Sequence, residues 1–202
     1  MGYSDLYAYC QGLLPPIGRN VIRDKVLELT GVPKIPWIRA EMDTTLYRGF
    51  YLCGDNADAV PFSEDRVASL LRQFGGRVVV VARGLSRSWE RIVLVKEFMH
   101  LFDKPGQMTA PEQLEGLLSD IMTGSTDPSP QFGSEIIAFW MAMGVLCPEP
   151  TRQQLLQERR GKTGDAEDLA ISLKLRIPEQ YVPLLFEQDY ENRLKKIIEH
   201  NA

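Results

Sequence analysis

The stretch RVVVVARGLSRSWERIVLVKEFMHLFD, residues 77–103, decides the fold. It begins with RVVVVARG, a short apolar run of the kind that a buried strand requires, and a turn follows. Residues 88–103 then have the pattern of a helix, with Ser88 as its N-cap and Glu90 near the positive end of the helix dipole. The stretch therefore predicts a strand, a turn and a helix in direct succession.

The predicted helix carries three residues with chemical potential, Lys96, Glu97 and His100. Positions 96 and 100 are one turn apart, so they lie on the same face. In zincins, two His residues with this spacing bind one zinc ion, and the Glu after the first His is the general base. Here Lys96 stands in place of the first His, and an ExxH pattern alone is too common to indicate a metal site.

The flanking sequence predicts a fold of the α+β class that is mostly helical. We expect a small sheet of about three strands, packed on two helices that we term the site helices: the helix of residues 88–103 and the helix that follows Ser134. We expect residues 1–150 to form the main domain and residues 151–202 a helical C-terminal extension packed on it as a single compact unit. Predicted helices cover residues 17–29, 63–74, 111–122, a segment capped by Ser134, and most of 151–199, whereas residues 35–53 predict one or two strands or a hairpin.

Composition excludes several classes of protein. The chain has 202 residues, 44% of them hydrophobic, which favours one folded domain. Its net charge of −4 argues against direct nucleic-acid binding. No apolar run approaches the ~20 residues that span a bilayer, and no secretion signal is evident, so we expect a cytoplasmic protein without membrane association. Three single cysteines, without a metal-binding spacing, are interpreted as buried apolar residues: Cys10, Cys53 and Cys147.

Residues 77–103, followed by SEIIAFWMAMGVLCPEP at 134–150, resemble the ImmA/IrrE-type metallopeptidase family, in which a strand and turn lead into an HExxH helix. The resemblance implies a zincin-like fold. It also implies that Glu97 is the general base, and that His100 and Glu135 are metal ligands. Glu135 follows His100 by 35 residues, in the position of the family's third zinc ligand.

Lys96 departs from the family's pattern. A Lys ammonium has no lone pair and repels a cation, and two remaining ligands are one fewer than a catalytic zinc requires. We therefore expect no cofactor, or zinc only if the site is still functional. Lys96 could instead pair with Glu97 or Glu135, so that its charge takes the place of the zinc. Asp103, three residues past His100, is a possible accessory ligand.

Each of these residues also has an ordinary structural interpretation. His100 could be a hydrogen-bonded core histidine, and Glu135 could be a first-turn acid favoured by the helix dipole. Arg83, Arg87 and Arg91 are interpreted as surface charges rather than a basic cluster.

Three functions follow. The first is a non-catalytic metallopeptidase-like protein, a regulatory or binding module of the phage or stress-response type that has lost its zinc site. Its partner would be a protein or peptide, such as a helix-turn-helix regulator. The second is an active zinc-dependent endopeptidase with an altered ligand set that cleaves a helix-turn-helix repressor. The third is a helical interaction protein without any site, in which Glu135 and His100 lie far apart. The oligomeric state is not predicted.

Overall fold

A computed structural model of the chain describes residues 2–45, 48–54, 62–103, 130–159 and 164–200. The helix predicted over residues 111–122 lies outside these ranges. In chain order, the elements are α1 (Tyr3–Gln11), α2 (Arg19–Thr30), β1 (Trp37–Ala40), β2 (Gly49–Cys53), α3 (Glu64–Phe74), β3 (Arg77–Ala82), α4 (Arg87–Met99), α5 (Pro130–Leu146), α6 (Glu149–Arg159), α7 (Asp165–Leu175) and α8 (Tyr190–His200).

The three strands form one mixed sheet in the order β1-β3-β2. The central strand β3 runs parallel to β1 and antiparallel to β2, so that Val79 lies opposite both Trp37 and Tyr51. The predicted α+β class, mostly helical with a small sheet, is confirmed. A hairpin between residues 35 and 53 was one of the expectations, and it is wrong, because β3 lies between the two strands. The uninterrupted apolar sequence of β3 suits its position in the centre of the sheet.

Helices cover both faces of the sheet. Val79 and Val81 face the large core that includes α4, whereas Val78 and Val80 pack with Val67 of α3 on the other face. The sheet was expected to pack on both site helices, but this is correct only for α4. The second site helix, α5, instead makes its main contacts with α4, α1 and α8.

One glycine allows β2 to approach α4 closely. A Cβ atom on Gly49 would lie 2.4 Å from Cγ1 of Val93 and 2.9 Å from the carbonyl oxygen of Val80. Both separations are shorter than van der Waals contact, so a larger residue would push the strand away from the helix. The sheet and the first site helix therefore depend on this position for their spacing.

The ends of the site helices differ from the prediction. Ser86, rather than Ser88, caps α4, and its hydroxyl accepts a hydrogen bond from the backbone N–H of Trp89 at 3.3 Å. The α-helix ends at Met99, and a 3₁₀ turn follows from His100 to Phe102. Helix α5 begins at Pro130, so Ser134 lies inside the helix instead of capping it.

The N- and C-terminal helices complete the core. Helix α1 was not predicted, and it buries Tyr3, Leu6 and Cys10 against α5. Helix α8 packs on α1 and α5 where Gly144 leaves room for Tyr3 and Leu194. Between α7 and α8 the chain forms two 3₁₀ turns, Glu179–Tyr181 and Pro183–Phe186, in place of a longer helix. The proposed domain boundary at residue 150 stays a prediction.

Two side-chain expectations have opposite outcomes. All three cysteines are buried, as predicted. Arg91 was interpreted as a surface charge, and this is wrong. Its guanidinium is buried and donates hydrogen bonds to the carbonyl oxygens of Ile17, Leu175 and Arg176, which ties α4 to two other segments. Arg83 and Arg87 are exposed, as expected.

Within the described ranges, no helix has both the length and the apolar character that crossing a membrane demands.

Candidate functional site

A cluster of charged side chains lies between the end of α4 and the first half of α5. The Lys96 ammonium is at its centre, with Nζ 2.5 Å from Oε2 of Glu135 and 2.9 Å from Oε1 of Glu97. The Glu97 side chain is 2% exposed and that of Lys96 is 19% exposed, whereas Glu135 is 30% exposed. One cation therefore joins a fully buried carboxylate to one at the edge of the solvent.

His100 extends the cluster on the other side of Glu135. Its Nε2 atom lies 3.2 Å from Oε1 of Glu135 and 3.8 Å from Oε2 of Glu97. The opposite ring nitrogen, Nδ1, lies 2.7 Å from Oδ2 of Asp103. Each ring nitrogen thus has a carboxylate neighbour, an arrangement that suits a protonated imidazolium with two N–H donors.

The pKa of His100 agrees with that assignment. Burial alone would lower the pKa, but the nearby charge of Glu135 and the hydrogen bond to Asp103 outweigh burial and raise the pKa to about 10. The Lys96 pKa is also raised, because the two carboxylates outweigh the effect of burial. Burial would raise the pKa of Glu135, but Lys96 and His100 lower it well below its usual range. At neutral pH these three groups are therefore all charged.

Ser134 of α5 is a further member of the charged cluster, because its hydroxyl contacts both Asp103 and His100. Its hydroxyl donates to Oδ2 of Asp103 at 2.8 Å and lies 3.4 Å from Nδ1 of His100. A serine hydrolase triad needs the serine and the acid on opposite ring nitrogens of the histidine. Here both groups contact the same nitrogen, so the trio orients the imidazole rather than activating a nucleophile.

The residues present do not fit a catalytic zinc site. Lys96 Nζ occupies the space between Glu97 and Glu135, where a cation shared with His100 would lie. Asp103 contacts the ring nitrogen that faces away from Glu135, so it could not join Nε2 and Glu135 around one ion. In the part of the chain that the structure describes, no three His, Cys, Asp or Glu side chains are grouped to hold a metal ion.

All five predicted site residues nevertheless lie together. The resemblance implied Glu97, His100 and Glu135, Lys96 was the departure from its pattern, and Asp103 was a possible accessory ligand. The distances between these side chains join them into one continuous network. Whether they act on a metal or a substrate stays a prediction. Sequence reasoning missed Ser134 as a member, because it was interpreted as a helix cap.

A cluster of aromatic side chains adjoins the charged cluster. The guanidinium of Arg48 lies 3.8 Å from the ring centre of Trp89, and the rings of Trp89 and Phe139 lie 5.3 Å and 4.9 Å from that of Tyr181. All three rings are only partly buried. The charge of Lys96 acts on the Tyr181 hydroxyl, although burial is the larger effect and raises its pKa. These residues come from separate segments, so no local pattern in the sequence indicates them.

Fold and site together define a mostly helical α+β protein with a largely buried network of lysine, histidine and carboxylate side chains at the contact between α4 and α5. No family model matches the chain, and comparison with curated proteins and with solved structures gives no significant match.

Proposed function

We propose that this protein is a non-catalytic, metallopeptidase-like binding module in which Lys96 has taken the place of a catalytic zinc ion. The observation that supports this proposal is the position of the Lys96 ammonium, 2.5 Å from Glu135 and 2.9 Å from Glu97. In a working zinc peptidase, the residues equivalent to these two would be a ligand and the general base. Because the Lys96 ammonium pairs with both carboxylates, Glu135 cannot act as a zinc ligand and Glu97 cannot act as a general base.

Electrostatics explains why lysine and zinc exclude each other. A zinc ion between His100 and Glu135 would lie within a few ångströms of the ammonium, and two cations at that distance repel strongly in a buried site. Lys96 would have to lose its proton first, and its raised pKa opposes this. The second function, an endopeptidase with a neutral Lys96 as ligand, is disfavoured for the same reason.

The third function, a helical protein without a site, predicts that Glu135 and His100 lie far apart. The 3.2 Å separation between His100 Nε2 and Glu135 Oε1 counts against it. A network of charged groups with little exposure costs desolvation energy and contributes little net stability. Its presence therefore favours the remnant of a functional site over an ordinary structural feature.

The partner in this proposal is a protein or peptide. Trp89, Phe139 and Tyr181 form a partly exposed aromatic surface, and Arg48 stacks on it. Aromatic and Arg side chains contribute most to binding energy at protein interfaces. A helix-turn-helix regulator as partner, and a role in phage or stress response, rest on the family resemblance alone.

Metal analysis tests the proposal directly. The parent protein, purified without chelators, should contain much less than one zinc per chain by elemental analysis. A Lys96→His variant recreates the three ligands and should bind about one zinc per chain, whereas a matched Lys96→Gln variant should bind none. Stoichiometric zinc in the parent protein would overturn the proposal. Failure of Lys96→His to bind zinc would show that the cluster is not the remnant of a zinc site.

An activity assay separates the endopeptidase alternative. Glu97 would be its general base, so Glu97→Gln should abolish any cleavage of a peptide library by the parent protein. Our proposal expects no cleavage by either form. Cleavage by the parent that Glu97→Gln removes would establish the alternative.

A further inference from the structure

Helix α7 has an apolar face that the rest of the described chain leaves exposed. It packs on the core through Ile171 and Leu175, which are buried. The opposite face carries Leu169 and Leu173, which are 47% and 68% exposed. Two exposed alanines at helical spacing complete this surface, which we term the α7 stripe: Ala166, Leu169, Ala170 and Leu173.

We propose that the α7 stripe binds the same stripe of a second copy of this chain, with the two helices antiparallel around a two-fold axis between residues 169 and 170. This two-fold axis passes through the centre of the α7 stripe. Each leucine of one copy therefore packs against an alanine or a leucine of the other copy. Self-complementary contacts of this kind are the usual basis of homodimers. This inference does not depend on the Lys96 cluster.

The charges beside the stripe favour the antiparallel direction. Glu167 and Lys174 are seven residues apart, so they lie on the same flank of α7, the acid near its N-terminal end and the base near its C-terminal end. In the proposed dimer, Glu167 of one copy and Lys174 of the other are separated by only about 3 Å along the direction of the helices, so the two opposite charges are neighbours. A parallel pair would instead bring together the two acidic ends and align the helix dipoles unfavourably.

Lys174 is available for such a contact. Its Nζ lies 3.5 Å from Glu158, and the two side chains are 41% and 51% exposed to solvent. A surface ion pair of this kind contributes little to stability, so exchanging it for a contact across the dimer costs little.

The size of the surface predicts a weak dimer. Helix α7 has 11 residues, which corresponds to a length of about 16 Å. Such a helix pair buries well below the ~800 Å² per partner of a standard interface. We therefore expect a dissociation constant in the micromolar range or weaker.

Sedimentation equilibrium of the full chain, from about 10 µM to about 500 µM, measures this association. The parent should shift from monomer towards dimer, and Leu173→Glu should remain monomeric because it places a charge within the apolar contact. Leu14→Glu is the matched control, since Leu14 is 89% exposed, more than any other large apolar side chain among the described residues, and lies outside α7. A parent that is monomeric throughout, or a dimer that Leu173→Glu leaves intact, would overturn the proposal. Circular dichroism checks that each variant is folded.

Charge exchange tests the direction of packing. Glu167→Lys and Lys174→Glu alone should each weaken the dimer about fivefold, because two equivalent pairs are lost. The double variant restores both pairs and should recover the parent's association constant. A double variant as weak as the single ones would contradict the antiparallel arrangement.

Cysteine crosslinking provides an independent measurement of the register. Residue 170 of the two copies should be offset by about 1.5 Å along the helix axis, and residue 166 by about 10 Å. Ala170→Cys should therefore form a disulfide-linked dimer under mild oxidation, whereas Ala166→Cys should not. Equal crosslinking at both positions would indicate parallel helices and overturn the proposed axis. The three native cysteines are buried.

Discussion

The ammonium nitrogen of Lys96 lies 2.5 Å from Oε2 of Glu135, although the two residues are 39 positions apart in the chain. This contact joins the last turn of α4 to α5 at the place where the family resemblance implies a zinc ion. The positive charge of Lys96 is covalently attached to α4, so its contact with Glu135 links the two helices. The relationship has consequences for stability that can be measured.

Replacing the lysine should destabilise the fold. Lys96→Met leaves Glu97 and Glu135 without their shared cation, and we expect the free energy of unfolding to fall by about 3 kcal/mol in urea titrations. Lys96→Met combined with Glu135→Gln should lose less than the sum of the two single changes, because only one of the two carboxylates is then left without its cation. Lys195→Met, on the exposed face of α8, is the control and should change stability by less than about 0.5 kcal/mol. Equal effects at residues 96 and 195 would contradict this view of the cluster.

The charge on His100 should make stability depend on pH. Its pKa in the folded protein is raised to about 10, above the ~6.5 of an unfolded chain. A raised pKa means that the stabilisation is complete below pH ~6.5 and is lost as the pH rises towards 10. The difference in unfolding free energy between the parent and His100→Gln should therefore shrink by a few kcal/mol between pH ~6 and pH ~10. A difference that stays constant over this range would show that His100 is neutral in the fold.

The close approach of β2 to α4 should not tolerate a methyl group. Gly49→Ala places a Cβ atom 2.4 Å from Val93, and we expect a loss of about 1–3 kcal/mol in unfolding free energy. Combining it with Val93→Ala removes one of the two clashes and should recover part of the loss. Gly12→Ala is the matched control, since its nearest neighbour would be 3.7 Å away. If both single variants were equally stable, the spacing of strand and helix would not depend on Gly49.

Arg91 should behave as a core residue. Arg91→Met leaves the carbonyl oxygens of Ile17, Leu175 and Arg176 without their buried donor, which we expect to cost about 2–4 kcal/mol. Arg87→Met, on the same helix but exposed, should have almost no effect. Thermal or urea unfolding of the two variants provides the comparison, and similar stability would contradict the buried role.

Elements with a clear local hydrophobic pattern could be predicted from the sequence alone. The apolar run of β3 and the helices α2 and α3 were predicted with small errors at their ends, because burial on one or both faces imposes a periodicity that the sequence shows. The helix α1 was not predicted, although its buried residues Tyr3, Leu6 and Cys10 have helical spacing. It is stabilised by contacts with distant residues, for example the hydrogen bond from the Tyr3 hydroxyl to the backbone oxygen of Met141.

For the candidate site, the family resemblance suggested the residues and the tertiary structure supplied their geometry, whereas their roles stay predictions. Resemblance indicated Glu97, His100 and Glu135, and these side chains lie together. The helix predicted over residues 88–103 ends earlier than expected, because the chain tightens into a 3₁₀ turn at His100, and Asp103 then contacts Ser134 of another helix. Contacts of that kind depend on two segments at once, and neither segment shows them alone.

The sequence by itself determined the class of fold and the order of most elements, because these follow from side-chain chemistry and local periodicity. Only the family resemblance implies a zinc-binding histidine at the position of Lys96. Only the tertiary structure decided that Lys96 bridges two carboxylates, that Arg91 is buried, and that one face of α7 is left exposed. Each of these depends on which helices pack together, and packing is set by the whole core rather than by any single segment.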